Sequence, residues 1–337
     1  MAIFYCFAKA LNIRIKIKKL VFFVNFVKIF FGKRKIKLMM EKLAQCPICN
    51  SEKFSPFLEC KDWTVSKNSF TIVSCPACKF RFTNPRPLEN DLGNYYQSEE
   101  YISHSNTKKG VINFLYQTVR NWTLKQKLKL INSLSPKSEI RNPKLLDIGC
   151  GTGEFLNVCK QNGWNITGIE PSEKARNFGN ENYKLEIKEE NQLNELSAET
   201  FDIITMWHVL EHVPKLNERI IELKKLIKPS GHIIIAVPNC SSFDAQHYQE
   251  YWAAYDVPRH LYHFTPANIE QLFSKHDLKL IEILPMKFDA YYVAMLSEKY
   301  KNGKTNFVSA LWNGFRSNWL AQRDGKTYSS QIYIFKK

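Results

Sequence analysis

Nowhere do these 337 residues hold an uninterrupted apolar run of about 20, the length that a membrane-spanning helix needs. The run closest to it, VFFVNFVKIFF, is broken by Asn25 and Lys28, and no small-residue cleavage site follows it, which argues against a secretory signal. Acidic residues are missing from the first 40 positions, which carry ten Lys or Arg. Most of the net charge of +16 therefore belongs to that segment, and the other 297 residues hold 38 basic against 32 acidic side chains. A remainder of this size is compatible with a nucleic-acid partner but does not argue for one. The extension 1–40 reads either as a basic amphipathic surface anchor or as translated AT-rich DNA ahead of a start at Met39 or Met40, and the second reading is preferred. Past residue 40 there is no internal repeat and no low-complexity tract. Nothing marks an oxidising compartment either, so the scattered Cys6, Cys150, Cys159 and Cys240 are expected as free thiols of a reduced, cytoplasmic protein.

The remaining cysteines are not scattered. Cys46-Pro47-Ile48-Cys49 and Cys75-Pro76-Ala77-Cys78 are two CxxC knuckles separated by 25 residues. Each short turn points two sulfurs the same way, so together they can offer four thiolates to a tetrahedral zinc. Four protein ligands leave no open position, which makes this zinc structural. Cys60, between the knuckles, is expected as a small buried residue. The module spans 41–100 and ends in Asn84-Pro85-Arg86-Pro87 and the aromatic stretch from Tyr95 to Tyr101, an extended connector closed by a turn.

A helical connector over 105–140 follows. From Lys108 to Leu134 the apolar residues Val111, Phe114, Leu115, Val119, Trp122 and Leu128 recur at helical intervals, and Pro136 ends the pattern. This helix is expected to lie across the entrance of the last domain, 141–337. There strands at 144–149, 166–170, 183–187, 201–207 and 232–237 alternate with helices at 153–162, 172–180 and 215–228. The alternation predicts an α/β fold with a mostly parallel sheet. Pro266 opens a helix to Lys275, Leu278 to Ile283 is a strand, 290–321 is helical with a break at Gly303, and Ser330 to Phe335 is a final strand.

The segment that anchors a ligand is Leu145-Leu146-Asp147-Ile148-Gly149-Cys150-Gly151-Thr152-Gly153-Glu154-Phe155, a buried strand running into a glycine-rich turn and a helix. A dinucleotide site would carry GxGxxG, whereas this turn is GxGxG. Asp147 at the strand end would repel a pyrophosphate but suits a ligand bearing an ammonium and a sulfonium. Glu170, at the end of the next strand, is placed to accept two hydrogen bonds from a ribose diol. The pair points to S-adenosylmethionine.

LLDIGCGTGEF, GIEPS and FDIITMWHVLEHVP resemble the signature segments of class I S-adenosylmethionine-dependent methyltransferases over roughly residues 140–337. The similarity is greatest to the ubiquinone-biosynthesis O-methyltransferases and to the zinc-knuckle sugar C-methyltransferases (the methyltransferase type 11 or 23 group). It implies a Rossmann-like class I sheet with a reversed last strand, preceded by a small zinc ribbon that helps hold substrate. It also implies that Asp147, Gly149, Gly151 and Gly153 line the methionine end, that Glu170 binds ribose, and that Met206 and Trp207 close the site. Adenine contact falls to the segment Glu189, Glu190 and Asn191, with Asn191 as the polar candidate.

An oxygen or carbon acceptor needs a base. His208, Glu211 and His212 share a face if HVLEHV is helical, and they can bind a divalent metal, remove a proton, or merely brace the loop. His260, next to Arg259, is the other candidate base, and Arg259, Tyr262 and His263 are candidates for an anionic or hydroxylated acceptor. The alternative there is a polar cluster that pins the loop to the sheet. The expected activity is methyl transfer to O or C of a small molecule such as a sugar, quinone or glycan precursor. The rivals are an RNA or protein methyltransferase that uses the ribbon for recognition, and a non-catalytic scaffold. The oligomeric state is not legible.

Overall fold

The hydrophobic alternation in residues 144–336 resolves into a seven-stranded sheet because each strand can bury both faces under helices. The computed structural model describes residues 39–96, 111–135 and 142–337. The extension 1–38 with Cys6, the aromatic Tyr101, the helix start at Lys108 and the stop at Pro136 lie outside the described residues.

In chain order, the cysteine module supplies β1 (Met40–Glu41), β2 (Ser55–Lys61), β3 (Ser69–Ser74), β4 (Arg81–Thr83), β5 (Arg86–Pro87) and the single turn α1 (Glu89–Leu92). The connector is α2 (Val111–Leu134). Then come β6 (Lys144–Ile148), α3 (Glu154–Gln161), β7 (Asn165–Ile169), α4 (Glu173–Tyr183), β8 (Ile187–Lys188), β9 (Phe201–Trp207), α5 (Leu216–Leu226), β10 (Ile227–Pro238) and α6 (Phe243–Tyr248). The chain closes with β11 (Tyr262–His263), α7 (Pro266–Ser274), β12 (Lys279–Pro285), α8 (Asp289–Asn302), α9 (Phe307–Ala321) and β13 (Ser330–Lys336). The weak strand expected at 183–187 is only β8, because Glu173–Tyr183 continues as helix.

The large sheet has the order β12-β13-β10-β9-β6-β7-β8. Neighbours from β10 to β8 are parallel, and β13 runs antiparallel to both β10 and β12. The last strand is thus reversed, as expected. From β6 the chain moves outward to β7 and β8 and then returns to place β9 on the other side, so the strand order switches at the carboxyl end of β6. The period of two divides the core. Leu146, Ile148, Ile204, Met206, Ile233 and Ile235 face one cluster, while Leu145, Ile203 and Ile234 face the other with Phe155, Leu156 and Trp164.

The first of these clusters also contains Cys46, Ile48, Phe80 and Phe82, so the cysteine module shares its core with the sheet. Its own four-stranded sheet has the order β11-β4-β3-β2, and β11 comes from the loop after β10. Tyr262 pairs with Phe82 and His263 with Arg81. Met40–Lys337 accordingly behaves as one unit. Among the described residues no helix is long and apolar enough to cross a membrane.

Candidate active site

The turn after β6 needs glycine for two reasons. Gly149, Gly151 and Gly153 have φ of 69°, 57° and 79°, which side chains disfavour. A Cβ on Gly153 would also lie 2.5 Å from Leu185 Cδ1. The backbone can therefore come close to a ligand at the switch point, at the start of α3.

Asp147 is buried at the carboxyl end of β6, opposite Thr205 of β9 in the parallel register. Thr205 Oγ1 donates to Asp147 Oδ1 at 2.6 Å. Burial lifts the Asp147 carboxyl to about 7, against that hydrogen bond and the charge of Lys127. Glu170 follows β7 and is also buried. Its Oε2 accepts from Gly151 N at 2.8 Å and its Oε1 from Ser172 N at 2.9 Å. Burial pushes this carboxyl above its ordinary range too. Each oxygen has one lone pair engaged by backbone, which leaves the other for hydroxyl donors. Asn191 is exposed on the 3-10 turn Glu190–Glu195.

Met206 is fully buried, and the Trp207 indole stands edge-on to Phe155 with centroids 5.8 Å apart. Lys127 of α2 places its Nζ 4.1 Å from the Trp207 ring centroid. Burial lowers this ammonium to about 8, while Asp147 and Asp289 oppose the shift. Trp207 Nε1 is buried with no hydrogen-bond partner among the described residues. The connector helix thus packs over the end of β9, and Arg120 reaches Glu154 at the start of α3. A half-buried cation, an unpartnered indole donor and two raised carboxylates gather at the carboxyl ends of β6, β7 and β9.

The helix expected in HVLEHV is only the 3-10 turn Leu210–His212. His208 has φ 57° and bridges two carboxylates, its Nε2 3.0 Å from Asp289 Oδ2 and its Nδ1 3.5 Å from Glu211 Oε1. Burial opposes its charge, but the two carboxylates outweigh burial and raise the imidazole to about 10. Glu211, His212 and His260 converge instead, with ligand atoms within 4.8 Å of one another. His212 Nδ1 is 3.1 Å from Arg259 O and 2.9 Å from Tyr96 Oη, and His260 Nδ1 is 2.8 Å from Ala254 O. A carbonyl can only accept, so both protons belong on Nδ1 and both Nε2 atoms keep a lone pair. Glu211 is 0% exposed, and its one close side-chain partner is His208 Nδ1, 3.5 Å from Oε1 and outside good hydrogen-bond geometry. Two oriented imidazoles and one buried carboxylate are groups that could together hold a divalent cation.

The acceptor candidates near Arg259 look different. Arg259 is buried and its guanidinium bonds Asp62, Asp256 and Tyr95 O. Tyr262 Oη donates to Pro214 O at 2.8 Å and accepts from Arg86 at 2.9 Å. His263 Nε2 is 3.1 Å from Thr83 Oγ1, whose proton goes to His260 O. These contacts tie the loop to the cysteine module. His260 alone of this segment joins the Glu211 group, its ring 4.6 Å from that of His212. Sequence reading missed Lys127, Thr205, Asp289 and Tyr96. Only Thr205, in register beside Asp147 on an adjacent strand, had a signal that could have found it.

In the cysteine module, Cys46 and Cys78 sulfurs lie 3.5 Å apart, as do those of Cys49 and Cys75. Tetrahedral zinc with Zn–S near 2.3 Å needs sulfurs about 3.8 Å apart. All four fall within 4.8 Å of one another, so the donor set fits that ion. Cys60 is buried, as expected.

Residues 119–283 match the methyltransferase-domain family, a span that runs from α2 through the glycine turn and the Glu211 cluster to β12. The chain carries a methyltransferase domain. This domain is 31% identical over 138 residues to the ubiquinone biosynthesis O-methyltransferase of Photobacterium profundum, covering 36% of this chain and 58% of that protein. It is 28% identical over 184 residues to the enzyme of the same name from Coxiella burnetii, covering 48% of this chain and 78% of that one. A SAM-dependent methyltransferase of Archaeoglobus fulgidus superposes with a TM-score of 0.44 at 21% identity, over 67% of this chain and 99% of its own. The family match leaves out the cysteine module and α8, so it says nothing about the four cysteines or Asp289.

Proposed function

We propose that the protein transfers the methyl group of S-adenosylmethionine to an oxygen or carbon atom of a small molecule. The observation that carries this reading is the pair of buried carboxylates, Asp147 and Glu170, at the ends of adjacent strands beside a turn of three positive-φ glycines. Asp147 would face the methionine ammonium, Glu170 the ribose hydroxyls and Lys127 the methionine carboxylate. When bound, the donor supplies an electrophilic methyl group on a sulfonium, so the chain's task is to position and desolvate the acceptor. The curated relatives named above methylate oxygen by name, which favours an O-acceptor of quinone-like size over RNA or protein.

Titration of S-adenosylhomocysteine by calorimetry tests the donor site. Asp147→Ala is expected to weaken binding about 100-fold, the worth of a buried charge-assisted contact. An ionised Asp147 attracts the ammonium and a protonated one does not. With its carboxyl at about 7 in the free protein, wild-type affinity should rise as pH increases through that value and fall below it. Equal affinity of the wild type and Asp147→Ala would defeat the donor assignment.

We further infer that Glu211, His212 and His260 hold a divalent cation, and that Cys46, Cys49, Cys75 and Cys78 hold a structural zinc. At the first site a cation would lower the pKa of an acceptor hydroxyl. Glu211 supplies the negative charge there, and the backbone carbonyls behind His212 and His260 fix the rings. Metal analysis should find two equivalents in the wild type and one in Glu211→Gln, whose cysteine site is intact. Two equivalents retained in the variant would remove the site.

A further inference from the structure

Helix α9 is built inside out. Its buried side is small and polar: Ala310, Asn313, Gly314, Ser317, Asn318 and Ala321. Their donors are engaged, with Asn313 donating to Tyr248 Oη at 3.0 Å, Ser317 to Asp244 at 2.8 Å and Asn318 to Lys287 O at 2.8 Å, while Asn318 Oδ1 is left without a partner among the described residues. The outward side carries Phe307, Val308, Leu311, Trp312, Phe315 and Trp319, each between 48% and 79% exposed. They recur at the helical period and form one contiguous stripe along the helix. Scattered exposed apolar residues need no explanation, but a stripe of six on one face does.

The charge around the stripe says what covers it. Helix α9 has no acidic residue. Lys299, Lys301 and Lys304 precede it, Arg316 lies along it, Arg323 and Lys326 follow it, and Asp324 is the single acid between 299 and 326. All six cations are exposed, with Arg323 stacked 4.5 Å from the Trp319 ring. An aromatic stripe rimmed by Lys and Arg has the chemistry of an interfacial helix, with tryptophans at headgroup level and cations on anionic lipid. The stripe also leads to the site. Asn318 holds Lys287, the half-exposed Phe288 follows, and Trp122 of α2 meets Phe288 edge-on at 5.1 Å. Asp289, the next residue, is the partner of His208.

We propose that the outward face of α9 docks flat on an anionic lipid bilayer and sets the mouth of the site against the membrane surface. This rests on the geometry of the helix and stands whether or not the donor assignment above holds. The full chain, mixed with vesicles of equal parts phosphatidylcholine and phosphatidylglycerol, is expected to float with them, and to remain behind with phosphatidylcholine alone. The double variant Trp312→Glu/Phe315→Glu, with an unchanged near-ultraviolet circular dichroism spectrum, should lose at least about tenfold in partitioning, since it removes two large interfacial anchors. Because both side chains are exposed, folding has no need of them. Failure of the wild type to float, flotation indifferent to lipid charge, or unchanged flotation of the double variant would each overturn the proposal. So would a concentration-dependent dimer, abolished by the same substitutions and formed without vesicle binding, which would give the face to a second copy of the chain.

Discussion

Stripping zinc from the cysteine module, by chelation or by Cys75→Ser, is expected to unfold β2 to β4 and to release β11 with them. The module's own sheet is small, although its core continues into that of the large sheet. Two of the four cysteines, Cys46 and Cys75, are at 0% exposure beside Phe80 and Phe82, so the thiolates sit where the module meets that shared core. A structural zinc contributes about 10–16 kcal/mol in small peptides, comparable to the whole stability of an ordinary domain at about 5–15 kcal/mol. The strand pairing carries the effect further. Thr83 N donates to Leu261 O, and Leu261 N to Glu211 O, so the module, the His260 loop and the Glu211 turn form one chain of backbone bonds. Hydrogen exchange should therefore show amides of Ile72, Phe82, Leu261 and Tyr262 losing protection together on zinc removal, while β6 and β7 keep theirs. Protection unchanged by complete removal of metal would refute a structural zinc. Loss confined to the module, with Leu261 still protected, would refute the coupling to the site.

Arg259→Ala should destabilise the fold by about 3–5 kcal/mol, the cost of leaving a buried carboxylate without its cation. Arg259 and Asp62 are 1% and 0% exposed in their side chains. Asp62 also takes bonds from Thr64, Val65 and Ser66, so truncating Arg259 cannot let it escape to water. Burial alone would raise the Asp62 carboxyl, but Arg259 and the Ser66 and Val65 amides hold it at about 2. An acid held below its unfolded value contributes stability that is present above that value and lost as pH falls toward about 2. The wild type should lose stability across that acid window, and Arg259→Ala should lose less there because part of the effect is already gone. Urea unfolding of the wild type, Arg259→Ala, Asp62→Ala and the double variant forms the test. The double variant should cost less than the sum of the singles, and strict additivity would mean that the pair does not interact.

Much of the architecture was legible because it is local. Periods of two and of 3.6, and a glycine turn that requires positive φ, are written in neighbouring residues. Strand Phe201–Trp207 and the reversed strand at the end came through within a residue of expectation. Asp147 and Glu170 were legible for the same reason, since each ends a strand whose direction the pattern sets. The HVLEHV segment misled because spacing suggested one helical face, whereas the left-handed His208 reaches Asp289 on one side and Glu211 on the other, and His260, 52 residues away, joins Glu211 and His212. Nothing near His260 in the chain announces Glu211.

Arg259 shows the same limit from the other side. A cation among histidines and tyrosines read either as an acceptor site or as a pinning cluster, and beside the nearby Asp256 the fold supplies Asp62, 197 residues away, as a second carboxylate. Helix α9 was expected only as part of a helical stretch over 290–321, with nothing to say which of its faces turns inward. Which face turns inward is decided by partners, and here Asp244 and Tyr248 of α6 and the Lys287 carbonyl draw the polar face in. The sequence by itself determined the parallel sheet, the ligand-holding turn with its two carboxylates, and the four-thiolate module, all set by dihedral preference and short spacing. Tertiary structure alone decided which histidines meet Glu211, which cation is buried, and which aromatic face is left outside. Those outcomes depend on contacts between segments far apart in the chain, whose energies appear only when the two sides meet.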